Sequence, residues 1–315
     1  MTAKTISDFV SLLDDYLLYL KSLNYSIYTT KIIRCYGRTF LKYLSSKHSV
    51  LVPAELQRVH LTSWQKFIAA QTTPKGFLLK ASTLNKKIEV VRGFIRYLAN
   101  HGYLQKVMVE MIRYVKTPQF LPCGILTDTE MRELFKKIDI TTNEGIQDRA
   151  ILELMYSSGL RAGEVVKLHT RSIDFDNGVA RVFGKGSKER IVPVGETALM
   201  WLEKYLKSIR PFMIKSNVKT NDGTTSLFVN SSGTQLQYHT LLRMVHKHTA
   251  KTDFKEHVTP HTFRRSCTTE LIRGEANLYH VKDILGHESL DTLKHYTKLN
   301  ITDLKRTHGK SHPRA

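Results

Sequence analysis

Six side chains spread through the second half of this 315-residue chain, Arg161, Lys185, His261, Arg264, His287 and Tyr296, are of the types needed to attack a phosphodiester with a phenol. As the phosphorus becomes five-coordinate, its two non-bridging oxygens gather charge. An arginine fork can bond both of them and stays protonated at any working pH. Arg161 follows Gly159 at an expected helix start, where backbone N–H groups also favour phosphate. Arg264 comes three residues after His261, so the two project from one helical face. His261 and His287 can move protons near neutral pH or bond a phosphate oxygen. Tyr296, nine positions after His287, is the candidate nucleophile; a phenol ordinarily titrates near pH ~10, so it needs neighbouring cations and a base. Lys185 falls in "GKGSK", the tip of an expected hairpin, from which a long ammonium can protonate a leaving 5′ oxygen.

Each of these residue types also has an ordinary use. A random arginine is more often a surface ion pair, a lone histidine is more often structural, and the chain has 14 tyrosines, of which Tyr279 fits a core position better. "HE" at 287–288 suggests a zinc helix, but Asp291 stands where H-E-x-x-H needs its second histidine. A nucleotide-binding loop ending at Lys185 fails too. Five residues separate Gly178 from Gly184, where that motif has four, and Gly186 replaces its hydroxyl residue.

The elements that must carry these groups are mostly helices. In residues 6–115, "ISDFVSLLDDYLLYLKSL" places Phe9, Leu12, Leu13, Tyr16, Leu17 and Leu20 on one helical face. A second helix opens at Ser26 and runs through Ile32, Ile33, Tyr36, Phe40 and Tyr43, with Lys31, Arg34, Arg38 and Lys42 largely on its other side. A third is expected after Thr62, and a fourth from a Ser82 cap to His101 and Gly102. Pro118 and Pro122 mark 117–124 as a linker, which divides a domain at 1–116 from one at 125–315. Thr127 and Glu130 have capping-box spacing, so a helix starts there. The helical pattern breaks at 178–194, where "GVARVF" and "RIVPV" predict a hairpin, and "SLFV" at 226–229 suggests a third strand.

A formal charge of +20 points to a polyanionic partner. The first 120 residues hold 18 Lys and Arg against 6 Asp and Glu, and the remainder 30 against 22, so both parts share the excess. Lys31, Arg34, Arg38, Lys86, Lys87 and Arg92 are candidate phosphate contacts. Three cysteines with wide gaps and no C-x-x-C indicate neither a disulfide framework nor a zinc knuckle, which fits a reducing cytoplasm. No run of 18 apolar residues appears, so no membrane span is expected.

"SGLRAGEV" at 158–165, "VFGKGSKERIVPV" at 182–194, "PHTFRRS" at 260–266 and "LGHESLDTLKHYT" at 285–297 together resemble, in order and spacing, the tyrosine recombinases of the phage integrase and Xer group. The match covers roughly residues 125–300, while the N-terminal part matches only in size, helicity and charge. The resemblance implies a mainly α fold with a small β-sheet (α+β): a helical core-binding domain followed by a catalytic domain. It implies a site-specific recombinase working through a 3′-phosphotyrosyl link and a Holliday junction, with Tyr296 as nucleophile and Lys185 as general acid. His261 would assist the tyrosine, His287 would contact the scissile phosphate and Glu164 would support them. Lys188 and Arg190 are then read as backbone-phosphate contacts.

Because the link conserves the phosphodiester energy, neither cofactor nor metal is expected. The implied partner is double-stranded DNA with paired sites, bound by a homo-tetramer alone or with a related recombinase. The implied place is the cytoplasm, in association with the nucleoid. Arg265 and Lys298 depart from frequent histidines of Xer relatives but leave the candidate set intact. The competing readings are a catalytically inactive accessory protein of recombinase descent and an enzyme resembling type IB topoisomerases.

Overall fold

The computed structural model describes residues 8–117, 124–184, 189–214, 225–254, 257–286 and 289. The chain divides into two compact units, Met1–Gln119 and Phe120–Ala315.

In the first unit, α1 (Phe9–Ser22) starts at Asp8, whose carboxylate accepts the Ser11 N–H at 2.7 Å. It buries the six apolar residues that the helical period selects, Phe9 through Leu20. α2 (Ile27–His48) opens at the expected Ser26 cap, which accepts the Thr29 N–H at 3.1 Å. α3 (Arg58–Ala69) begins ahead of Thr62, with Gln57 as its N-cap, and Nδ1 of His60 accepts the Gln57 N–H at 3.2 Å, the part that a Glu or Gln takes in a capping box. α4 (Ala81–Asn100) also begins before its expected cap at Ser82 and has no side-chain cap. α5 (Val107–Glu110) adds a single turn. Phe40, Leu44, Leu61, Trp64, Phe94 and Ile95 are all buried, with the Phe40 and Trp64 rings edge to face at 5.2 Å. At about 1.5–3 kcal/mol for each large apolar side chain removed from water, this core dominates the unit's stability.

In the second unit, α6 (Asp128–Lys136) starts with the expected capping box: Glu130 Oε2 accepts the Thr127 N–H at 2.8 Å and Thr127 Oγ1 accepts the Glu130 N–H at 3.3 Å. α7 (Asn143–Ser158) is buried almost all round and packs against α9 and α12. α8 (Ala162–Val165) follows at once. Then comes a three-stranded antiparallel sheet, β1 (Ile173–Asp174), β2 (Val179–Phe183) and β3 (Glu189–Pro193), in which Val179 pairs with Pro193 and Phe183 with Glu189. Ala180, Val182 and Val192 face the core. α9 (Glu196–Lys204) continues through a wide turn at Tyr205–Ile209 into α10 (Arg210–Met213), and α11 (Tyr238–Thr249), α12 (Pro260–Arg273) and α13 (Leu278–Leu285) complete the order.

The hairpin is where the sequence places it, but "SLFV" is not its third strand. Ser226 and Val229 make only isolated bridges, to His169 and Gln235. The buried Arg210 guanidinium donates to the carbonyls of Ser226 and Leu227, filling acceptors that a neighbouring strand would otherwise occupy. The start of the unit is pinned to α12 by a buried hydrogen bond from the Leu126 N–H to Ser266 Oγ, 2.9 Å. Most of the expected linker, 118–123, lies outside the described residues, as does the basic stretch at the C-terminus.

Candidate active site

α7 ends at Gly159, whose φ of 59° is left-handed. A Cβ there would lie 2.7 Å from Leu285 Cδ2 and 3.3 Å from Cys267 Sγ, so shape as well as dihedral calls for glycine. The turn makes Arg161 the N-cap of α8. Its backbone N–H donates to Glu164 Oε2 at 2.8 Å, its Nη1 to Glu164 Oε1 at 2.9 Å, and its Nη2 to the Gly286 carbonyl at 3.2 Å. Two of its five N–H groups are used in side-chain bonds; with 35% of the side chain exposed, donors remain for an anion.

α12 brings in the second guanidinium. Arg264 is 6% exposed, and its Nη1 and Nη2 donate to the carbonyls of Gly159 at 2.7 Å and Leu285 at 2.6 Å. Burial, and then the charge of Arg161, pull it down to about 10, so it still carries its charge at neutral pH. His261, one turn earlier, keeps part of its side chain exposed and part buried. Burial of its ring, followed by the charges of Arg265, Arg264 and Arg161, holds it below the ordinary histidine range. The imidazole is therefore neutral near pH 7 and able to accept a proton.

A third guanidinium joins from β3. Arg190 donates from Nη1 and Nη2 to Glu164 Oε1 and Oε2 at 2.8 and 2.9 Å, and from Nε to the Ile284 carbonyl at 3.0 Å. Glu164, 6% exposed, is thus surrounded by cations. Burial alone would raise its carboxyl, but hydrogen bonds from Arg190 and Arg161 and the charge of Arg190 outweigh that and hold it below the usual range. Three arginines can gather here because they meet one carboxylate and the carbonyl ends of α7 and α13, where helix dipoles are negative.

Arg161, Glu164, His261 and Arg264 thus lie together in the structure, while Lys185, Lys188, His287 and Tyr296 lie outside the described residues. Arg190 is a correction. With 13% of its side chain exposed and both faces of its fork bonded within the protein, it is a structural clamp rather than a free backbone-phosphate contact. Tyr279, expected in the core, is 65% exposed on α13.

In the first unit Lys31, Arg34 and Arg38 stand exposed along α2, with Arg34 4.0 Å from Asp14. Lys86 pairs with Glu89 at 2.9 Å. Lys87 departs from expectation by turning to Gln71 Oε1, and Arg92 lies over the Tyr114 ring at 5.4 Å with its Nε buried. Lys86 and Arg92 line a cavity of about 470 Å³ together with Tyr25, Tyr28 and Arg96. The partners missed by the sequence reading are Arg190 for Glu164, 26 positions away, and the carbonyls of Gly159, Ile284, Leu285 and Gly286. Such pairings have no local spacing to reveal them. Among the described residues no group of three or more His, Cys, Asp and Glu could hold a metal ion, and no helix is long and apolar enough to cross a membrane.

Solved structures share the fold. The Tn1549 transposon integrase in complex with a circular intermediate DNA aligns with a TM-score of 0.75 over 96% of this chain and 99% of that one, at 16% identity. The XerH site-specific recombinase bound to its difH substrate aligns at 0.67 over 94% and 82%, at 19% identity. Among sequences, tyrosine recombinase XerC of Oceanobacillus iheyensis is 34% identical over 96% of both chains. Tyrosine recombinase XerD of Chlorobaculum tepidum is 35% identical over 75% of this chain and 77% of its own. The phage integrase family model matches residues 125–302, more than half the chain and the whole stretch that carries the arginine cluster, and the chain therefore belongs to that family, as a tyrosine recombinase.

Proposed function

We propose that the chain is a site-specific DNA recombinase that cleaves and rejoins duplex DNA with Tyr296. The observation that carries this reading is the convergence of Arg161 and Arg264, 103 positions apart, on the adjacent carbonyls of Gly286 and Leu285, directly before His287 in the chain. Two fixed guanidinium groups beside a neutral histidine match the needs of a phosphodiester under attack.

In the proposed reaction the phenol oxygen of Tyr296 attacks phosphorus and its proton passes to His261. Arg161, Arg264 and His287 hold the non-bridging oxygens. The bond from phosphorus to the 5′ oxygen breaks, and Lys185 gives that oxygen its proton, leaving a 3′-phosphotyrosyl link and a 5′ hydroxyl. A 5′ hydroxyl from a second duplex reverses the step, and two such exchanges pass through a Holliday junction. No external energy is needed, because one phosphoester replaces another.

The first unit would clamp the duplex through the exposed cations of α2, and a homo-tetramer, alone or with a related recombinase, would hold paired sites within the cytoplasm. Both solved relatives described above are complexes with DNA, which supports that partner. Exchange between two molecules would mark integration, and exchange between sites on one circle would mark excision or dimer resolution.

The test is covalent capture on a pool of nicked duplexes of randomised sequence. Wild-type protein should form an adduct that survives denaturation, and Tyr296→Phe should form none. If wild type forms no such adduct, the reading as a DNA-binding accessory protein takes its place. Relaxation of supercoils by a monomer without recombinant products would instead favour topoisomerase chemistry.

A further inference from the structure

We propose that Arg190 is a positioning residue for this reaction, clamping Glu164 and the carboxyl end of α13 onto strand β3 so that Arg161 is held ready for phosphate. The inference rests on the proposed chemistry and assigns a role to a side chain that its sequence context had marked as a DNA contact.

Arg190 stands in β3 opposite Val182 of β2, one residue pair from the turn end of the hairpin whose connection includes Lys185. From there it reaches two elements. Its Nη1 and Nη2 take both oxygens of Glu164 on α8, and its Nε takes the Ile284 carbonyl at the end of α13. The contact with α13 is close: a Cβ added at Gly286 would sit 3.1 Å from both Cδ and Nε of Arg190. One planar side chain therefore joins the hairpin, the turn bearing Arg161 and the helix that runs on to His287 in sequence.

The geometry also explains why arginine is needed here. Bridging a carboxylate and a carbonyl at once takes a fork with separate donors; the single nitrogen of lysine cannot span them. Arg190 also shares Glu164 with Arg161. Without Arg190, Glu164 would have Arg161 as its remaining bonded cation and would draw it away from an incoming phosphate. Loss of Arg190 should then slow bond cleavage while leaving DNA affinity alone.

Full-length wild type, Arg190→Met and Arg190→Lys are compared on a duplex chosen by wild-type covalent capture. Affinity and its salt slope are read by anisotropy, and the single-turnover rate of adduct formation is read across pH. Arg190→Met should bind with unchanged affinity and slope and form adduct on the order of 100-fold more slowly, the scale expected for a misplaced reacting group. A second acid limb, below the one set by His261, should move upward, because Glu164 loses a cation; Arg161 and Arg264 are then the charged groups left facing it. Arg190→Lys, which keeps the charge but cannot bridge, should restore the limb and not the rate.

The proposal is overturned if Arg190→Met weakens binding and lowers the salt slope by about one while Arg190→Lys keeps the slope, the signature of a phosphate contact. It is also overturned if Arg190→Lys forms adduct at the wild-type rate. Activity that falls only in proportion to the unfolded fraction, with the limb unmoved, would leave Arg190 with a structural role alone. Failure of wild-type protein to form a Tyr296-dependent adduct would instead sink the proposed function.

Discussion

Replacing Gly159 by alanine tests how the arginine cluster is held. Two costs add at this position. A non-glycine residue in the left-handed region costs about 1–2 kcal/mol, and the φ of Gly159 is 59°. The new methyl would then lie 2.7 Å from Leu285 Cδ2 and 3.3 Å from Cys267 Sγ. Both neighbours are buried, so they cannot swing into solvent, and overpacking of this kind costs about 1–3 kcal/mol.

Gly178 provides the control in the same unit. Its φ is 64°, yet its nearest prospective contacts are 3.7 Å away, so Gly178→Ala carries only the dihedral cost. The expected destabilisation is about 2–5 kcal/mol for Gly159→Ala and about 1–2 kcal/mol for Gly178→Ala. At about 2–4 °C per kcal/mol for a domain of this size, Gly159→Ala should lower Tm by ~10 °C and Gly178→Ala by ~4 °C. The chain has two tryptophans, Trp64 and Trp201, one in each unit. Urea denaturation in a Trp64→Phe background therefore lets Trp201 fluorescence report on the second unit. The Gly159 carbonyl also accepts Arg264 Nη1, so Gly159→Ala should slow adduct formation at temperatures where it is still fully folded, and Gly178→Ala should not. Equal costs for the two variants, or an unimpaired cleavage rate in folded Gly159→Ala, would refute the packing argument.

Other consequences can be measured directly. His261 is held below its ordinary range by burial and three arginines, so cleavage should be fully developed at neutral pH and decline as pH falls through that lowered pKa; Arg265→Gln should move this limb upward in a pH–rate profile. Glu164→Ala leaves Arg190 and Arg161 without their carboxylate and should cost about 3–5 kcal/mol by denaturant unfolding, with part recovered when Arg190→Met is added. Because the Glu164 pKa is lowered by folding, its stabilising contribution is complete above the unfolded-state value and is lost as pH falls through the folded one, which acid titration of wild type against Glu164→Gln will show. Charge reversal at Lys31, Arg34 or Arg38 should weaken DNA binding and lower the salt slope by about one each, whereas Lys87→Glu, turned toward Gln71, should change the slope less.

Helices whose apolar residues keep the 3.6 period were legible: α1 buries the six residues chosen from its pattern, and the Ser26 and Thr127 caps stand where hydroxyls precede apolar runs. The starts of α3 and α4 were not, because His60 does one capping task and α4 has no side-chain cap. "SLFV" reads as a strand by composition, but Arg210 takes its carbonyls from another part of the chain. Arg190 is the sharpest case. Its place in "GKGSKER" resembles a DNA contact, and only the approach of α8 and α13 turns it into a clamp.

By itself the sequence determined the chemistry on offer, because residue types carry their functional groups wherever they stand, and four ordered segments marked the family. It also determined the helices and the hairpin, whose signals are local periods and caps. Only the tertiary structure decided which guanidinium groups stay available to an anion and which are used in holding others. That choice depends on carbonyls at the ends of α7 and α13 and on a carboxylate far away in the chain, and such long-range convergence is set by packing.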